Sequence, residues 1–137
     1  MNNITSVIPH RYPFLMVDRV LETEPGRWAR GYKNVSWNEW YITEQNSSMP
    51  STMIIEALAQ LGAFAAISEG GGLGFLSSLN GVEVSGVARP GDRVDLYYEV
   101  KKNKRGFVVG IGEASIEGQV IIRVQELMIY LQNQERT

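Results

Sequence analysis

The chain has 137 residues, 44% of them hydrophobic, which suits one globular domain over 1–137 with a real core and gives no sign of a second. Its net charge of −2 and pI of 5.4 argue against a nucleic-acid partner, because the longest basic cluster is Lys101-Lys102 with Lys104-Arg105, the composition of a solvated hairpin tip. With no cysteine and a single histidine, His10, a disulfide framework, a thiolate nucleophile and a zinc site of ordinary type are all disfavoured.

The opening residues MNNITSVIPH lack the basic and apolar segments of a signal peptide, and no apolar run approaches the ~18 residues of a membrane span, so the expectation is a cytoplasmic protein off the membrane. Pro9 and Pro13 bracket His10-Arg11-Tyr12 and hold it out of regular helix, as an ordered loop. Residues 14–21 read as a strand, Glu24-Pro25-Gly26 as a turn and 28–35 as the returning strand of a hairpin. From 36 to 49 the sequence is polar and aromatic without a period, which predicts a loop entering a helix capped by Ser48 or Ser51. That helix begins in PSTMIIEALAQ at 50–60, continues to Ser68 and stops at Gly70-Gly71-Gly72, a flexible exit. Its apolar and small residues leave almost no polar face, so it is buried on most sides.

Beyond it, 72–80 and 82–87 are short β-compatible pieces separated by Asn80-Gly81, followed by the turn Arg89-Pro90-Gly91-Asp92. Val94, Leu96, Tyr98 and Val100 alternate with Arg93, Asp95, Tyr97, Glu99 and Lys101, the period of a half-buried strand. Turns at 103–106 and Glu117-Gly118 link it to strands over 107–116 and 120–131, a meander that ends in a polar, fraying tail. The sum is an α+β domain in which an antiparallel sheet wraps one helix, with no room for the helices of parallel βαβ units. The glycine run follows a helix and does not join strand to helix, so it is no phosphate-cradling loop.

Glu56 is the single carboxylate in the apolar helix, and such placement marks either a functional group or an interface carboxylate bonded to backbone or to Gln60 one turn on. The N–H groups of Ser51 and Thr52 at the helix start are free donors at the positive end of the helix dipole, suited to gripping a thioester carbonyl. His10, between two prolines, fits a structural hydrogen-bonding role better than catalysis. Tyr12, Tyr41 and Tyr98 are candidate donors or packing residues, Trp37 and Trp40 candidates to line an apolar tunnel or cap the core, and Trp28 a core residue.

Two stretches, IPHRYPFLMVDR at 8–19 and MPSTMIIEALAQ at 49–60, resemble the signature segments of the β-hydroxyacyl-(acyl carrier protein) dehydratases of the FabZ/FabA type. Lys33-Asn34-Val35-Ser36, Asn38-Glu39, Pro90-Gly91-Asp92 and Lys104-Arg105-Gly106 extend the resemblance to nearly the whole chain. It implies the hotdog fold, dimerised with active-site tunnels at the subunit interface, and no cofactor beyond the phosphopantetheine that carries the substrate. The implied chemistry is dehydration of a 3-hydroxyacyl group by a loop histidine and a helix glutamate from different subunits. Glu56 falls on that glutamate and Ser51 on the glycine after the helix-start proline, whose N–H binds the carbonyl; with Ser51, the candidate substrate-binding residues are Thr52, Gln60, Tyr41 and Trp40. The histidine's Gly-His-Phe-Pro motif has no counterpart in 40–49, a loop about three residues shorter than the family's, and His10 matches a different, non-catalytic histidine. The implied partners are acyl carrier protein or acyl-CoA, with a homodimer, a heterodimer with a histidine-bearing paralogue, or a higher oligomer as the assembly. A hotdog thioesterase, which needs only the helix carboxylate and the helix-start N–H groups, is the alternative enzyme, and an acyl-binding subunit without chemistry the third possibility.

Overall fold

In a computed structural model, residues 15–66 and 73–132 are described; the loop expected around His10 and Tyr12, the glycine exit at 70–72 and the tail after Gln132 lie outside them. The elements are β1 (Arg19–Glu24), β2 (Trp28–Asn34), α1 (Ser51–Ala66), β3 (Leu73–Val84), β4 (Arg93–Lys104), β5 (Phe107–Ile116) and β6 (Gln119–Gln132). All neighbouring strands pair antiparallel in one sheet of order β1-β2-β4-β5-β6-β3. The connection through α1 carries the chain from β2 to the far edge, and the meander β4-β5-β6 then fills the space between. This is the α+β hotdog arrangement, a helix wrapped by an antiparallel sheet.

The sheet buries Val94, Leu96 and Tyr98 of β4, Val108 and Ala114 of β5, and Ile122, Val124, Leu127 and Ile129 of β6. Against them lies α1, in which every residue from 57 to 65 is buried. Close approach depends on two glycines. A methyl group on Gly62 would come within 2.6 Å of Ile129 Cδ1 and 3.0 Å of the Tyr98 ring, and one on Gly110 within 2.5 Å of Tyr98 Cζ. The ring of Tyr98 fills the slot they leave, and its hydroxyl donates to the Leu127 carbonyl at 2.9 Å.

Three expectations are corrected. The first strand starts at Arg19 and runs to Glu24, because the apolar residues Met16 and Val17 go into the core as an entering segment instead of joining the ladder. Residues 73–84 form one strand and not two pieces: the long ladder with β6 holds Asn80-Gly81 in line, and glycine supplies the φ of +68° this requires. Trp28 is not core but half-buried on the outer face of β2, 6.4 Å from the Tyr97 ring, with its Nε1–H donating to Glu24 at 3.2 Å. β3 forms one edge of the sheet and exposes Phe75, Leu76, Leu79, Val82 and Val84. Among the described residues no helix is long and apolar enough to cross a membrane.

Candidate functional site

Among the described residues no side chain caps the start of helix α1. Pro50 precedes it, its carbonyl accepting from Met53 N at 2.9 Å and Ile54 N at 3.2 Å, but proline has no side-chain acceptor. Ser51 is already helical and the Ser48 hydroxyl donates to Asn46 Oδ1 at 3.5 Å, so neither expected cap is in place. The N–H groups of Ser51 and Thr52 therefore find no acceptor within the helix and present its positive end.

Glu56 sits five residues on, about 7.5 Å along the axis, and is half-buried where its helical neighbours are closed off. Gln60, one turn later and only 1% exposed, donates from Nε2 to Glu56 Oε2 at 3.0 Å. Its Oε1 accepts the backbone N–H of Met16 at 2.7 Å, in the segment leading to β1. Gln60 thus fixes the carboxylate against a distant part of the chain, the structural bond offered for Glu56 by sequence.

The loop before the helix carries a second polar cluster, which pattern reading missed. Lys33, on the inward face of β2 with Ala29 and Gly31, is 7% exposed and donates to Glu39 Oε2 at 3.0 Å and Asp18 Oδ1 at 3.4 Å. Glu39 Oε2 also accepts from Ser36 N at 3.3 Å and Ser36 Oγ at 3.2 Å, and Asp18 Oδ2 accepts from Asn34 N at 2.7 Å. The small residues at 29 and 31 were the available signal: they assign that face to the crowded interior, whereas placing Trp28 in the core inverts the strand.

Residues 41–48 fold on themselves. Asn46 Nδ2 donates to the carbonyls of Tyr41 at 3.1 Å and Ser48 at 3.0 Å, while Thr43 and Asn46 exchange backbone bonds. Trp40 is 44% and Trp37 72% exposed, so neither caps the core of this chain, and Glu44 faces solvent. Tyr41 is buried, its ring edge-on to Trp40 at 5.5 Å. Burial first, then the nearby carboxylates of Glu39 and Asp18, push its phenol above the usual range. Among the described residues no three carboxylates or imidazoles gather where they could hold a metal ion. Glu56, Gln60 and the helix start thus stand together on α1, while Tyr41 and Trp40 belong to the loop before it, the first buried and the second at the surface.

The family model for the FabA-like domain matches residues 8–125. The chain is 46% identical over 132 residues to the uncharacterized protein YcsD of Bacillus subtilis, covering 96% of this chain and 99% of that one. It is 41% identical over 137 residues to the 3-hydroxyacyl-(acyl-carrier-protein) dehydratase FabZ of Roseiflexus castenholzii, covering 96% and 95%. Among solved structures, the dehydratase heterocomplex ApeI:P from Xenorhabdus doucetiae superposes with a TM-score of 0.85 at 18% identity, over 98% of this chain and 94% of that one. A hypothetical thioesterase with coenzyme A from Streptococcus pneumoniae gives 0.66 at 9% identity, over 85% and 86%. These last two likenesses are of fold.

Proposed function

Because the chain belongs to the FabA-like domain family, we propose that it handles 3-hydroxyacyl thioesters in the cytoplasm as a dehydratase-like subunit, the acyl group arriving on acyl carrier protein or coenzyme A. The observation that carries this reading is the Glu56 carboxylate, held by Gln60 at 3.0 Å on an otherwise apolar helix whose start is uncapped. In dehydration one group takes the C2 proton while the C3 hydroxyl leaves as water. Glu56 supplies one acid–base group, and the Ser51 and Thr52 N–H donors stabilise charge growing on the thioester oxygen.

The second acid–base group is what this chain does not place on its 40–49 loop, which has no histidine. We assign it to a partner subunit, a histidine-bearing paralogue, joined along β3, whose exposed Leu79, Val82 and Val84 favour pairing of edges. The resulting site serves fatty-acid or polyene and polyketide assembly. A thioesterase would use the same carboxylate to activate water, with no imidazole, which makes it the second reading.

The test is enoyl-thioester formation from 3-hydroxyacyl-carrier protein, by the purified protein alone and mixed with such a paralogue. Alone the rate is low, since a missing acid–base group costs ~10²–10⁴-fold; mixing restores it, and Glu56→Gln abolishes the gain. A robust rate alone, untouched by Glu56→Gln, refutes the assignment. Release of free thiol instead identifies the thioesterase, and tight acyl binding without turnover the non-catalytic subunit.

A further inference from the structure

The face of the sheet turned away from α1 carries a row of charges in a definite order. In register, Glu22 of β1 stands opposite Arg30 of β2, Arg30 opposite Tyr97 of β4, Tyr97 opposite Glu113 of β5 and Glu113 opposite Arg123 of β6. Their sequence neighbours Leu96, Tyr98, Ala114, Ile122 and Val124 are buried toward the helix, so alternation puts the row outside, where Glu22, Arg30 and Arg123 are exposed. Within the chain, Arg30 pairs with Glu22, and Arg123 with Glu113 at 2.6 Å. Outward from Tyr97 the signs are opposite on the two sides: cation then anion through β2 and β1, anion then cation through β5 and β6.

The rows on either side keep the same division. Trp28 of β2 and Ile111 of β5 flank Glu99, and Tyr32 and Ser115 flank Asp95. Strand β2 thus offers ring, cation and ring where β5 offers aliphatic chain, anion and hydroxyl. Trp28, Tyr32 and Tyr97 lie half-buried on this face, Trp28 at 6.4 Å from the Tyr97 ring and Tyr32 under the Arg93 guanidinium at 4.4 Å. Tryptophan, tyrosine and arginine are the side chains enriched in contacts between proteins, and a face matched in sign to its own reverse is complementary to itself.

We propose that this outer face binds a second copy of the chain, the two sheets stacked back to back about a two-fold axis that runs along β4 through Tyr97. That axis lays β2 over β5 of the other copy and β1 over its β6, so Arg30 meets Glu113 of the partner subunit and Glu22 meets Arg123 of the partner subunit, each pair twice. Trp28 packs on the partner's Ile111 and Tyr32 on the partner's Ser115. An axis along the row instead sets each charge on its own copy, which like-charge repulsion disfavours. Asp95 and Glu99, on the axis strand, do approach their copies, but each is already joined to a cation, Arg93 at 2.9 Å and Lys101 at 2.6 Å. Strand β3, with Glu83 opposite Arg123, falls outside the overlap and α1 lies on the other face, so the contact adds to pairing along β3 and leaves Glu56 untouched.

The test is sedimentation equilibrium of the full-length Leu79→Lys protein, whose charged β3 edge leaves the outer face as the remaining contact. At low salt it is a dimer, and raised salt, which screens exposed pairs, returns it to half that mass. Adding Arg30→Glu sets acid on acid and adding Glu113→Arg sets base on base, so each halves the mass while far-UV ellipticity stays unchanged. Mixing these two proteins recovers the dimer, since every contact between them is again acid to base. Arg123→Glu and Glu22→Arg, acting at the other pair, give the same pattern. A Leu79→Lys protein that is monomeric at low salt overturns the proposal, as does a dimer whose mass neither substitution changes, or a mixture that stays monomeric. None of these outcomes bears on the acyl-thioester reading, which is decided by turnover.

Discussion

Replacing Gln60 by leucine separates its two bonds from its volume. Leucine nearly fills the space of this buried side chain, but Met16 N–H loses the acceptor at 2.7 Å and Glu56 the donor at 3.0 Å. The first loss costs about 1–3 kcal/mol and the second, a bond to a charged group, about 1.5–3 kcal/mol. Glu56 is half-buried and takes the low end, while the added apolar burial recovers about 1 kcal/mol. The net expectation is a destabilisation of about 1.5–3.5 kcal/mol, read as a urea midpoint lowered by about 1–2 M at fixed protein concentration. A cycle with Glu56→Ala then apportions the effect: about 1 kcal/mol of coupling is expected between residues in direct hydrogen-bonding contact. A midpoint that hardly moves refutes the clamp outright. Strict additivity refutes the link to Glu56 and leaves Gln60 acting only on Met16.

Two further outcomes follow from burial at the phenols and at the sheet edge. Tyr98, through burial, and Tyr41, through burial reinforced by Glu39 and Asp18, hold their protons above the ordinary value of about 10. Since folding raises these values, the folded state binds more protons than the unfolded chain in alkaline solution, and stability is lost as pH rises past about 10. Tyrosinate absorbance should show both phenols ionising only as far-UV ellipticity collapses; smooth ionisation of every tyrosine in the folded protein would contradict this. At the edge, Leu79→Lys places a charge on β3, where Leu79 is 41% exposed, and should shift sedimentation toward the monomer while leaving the ellipticity unchanged; unaltered sedimentation would place the contact elsewhere.

The parts of the fold legible in the sequence were those dictated by local period. The alternation from Arg93 to Lys101 fixes the phase of β4, and the predominantly apolar and small residues of 51–66 mark a helix closed in on most sides. Glu56 stood out because it is the one carboxylate in that run. Gln60 was visible as its neighbour one turn on, but Met16, the other group it holds, is 44 residues away and no pattern joins them. Asn80-Gly81 carries turn chemistry, and only the facing ladder of β6 makes it a strand. Tyr41 lies among polar loop residues with no period to announce its burial, in a loop that Asn46 folds back on itself. Lys33 was hidden by the opposite assignment of Trp28, since one residue's side in a strand decides all the others.

The ring of Tyr98, lodged between Gly62 and Gly110 and tied at its tip to Leu127, acts on α1 as a dowel acts on a joint. Gly62 lies six residues past Glu56, about 9 Å along the helix, so the pin sits well away from the carboxylate while preventing the rod from sliding or turning over the sheet. Side chains around the helix start are thereby free to diverge without misaligning Glu56. Drift in what the protein accepts and constancy in where its carboxylate stands become separable, because they are enforced at opposite ends of one helix.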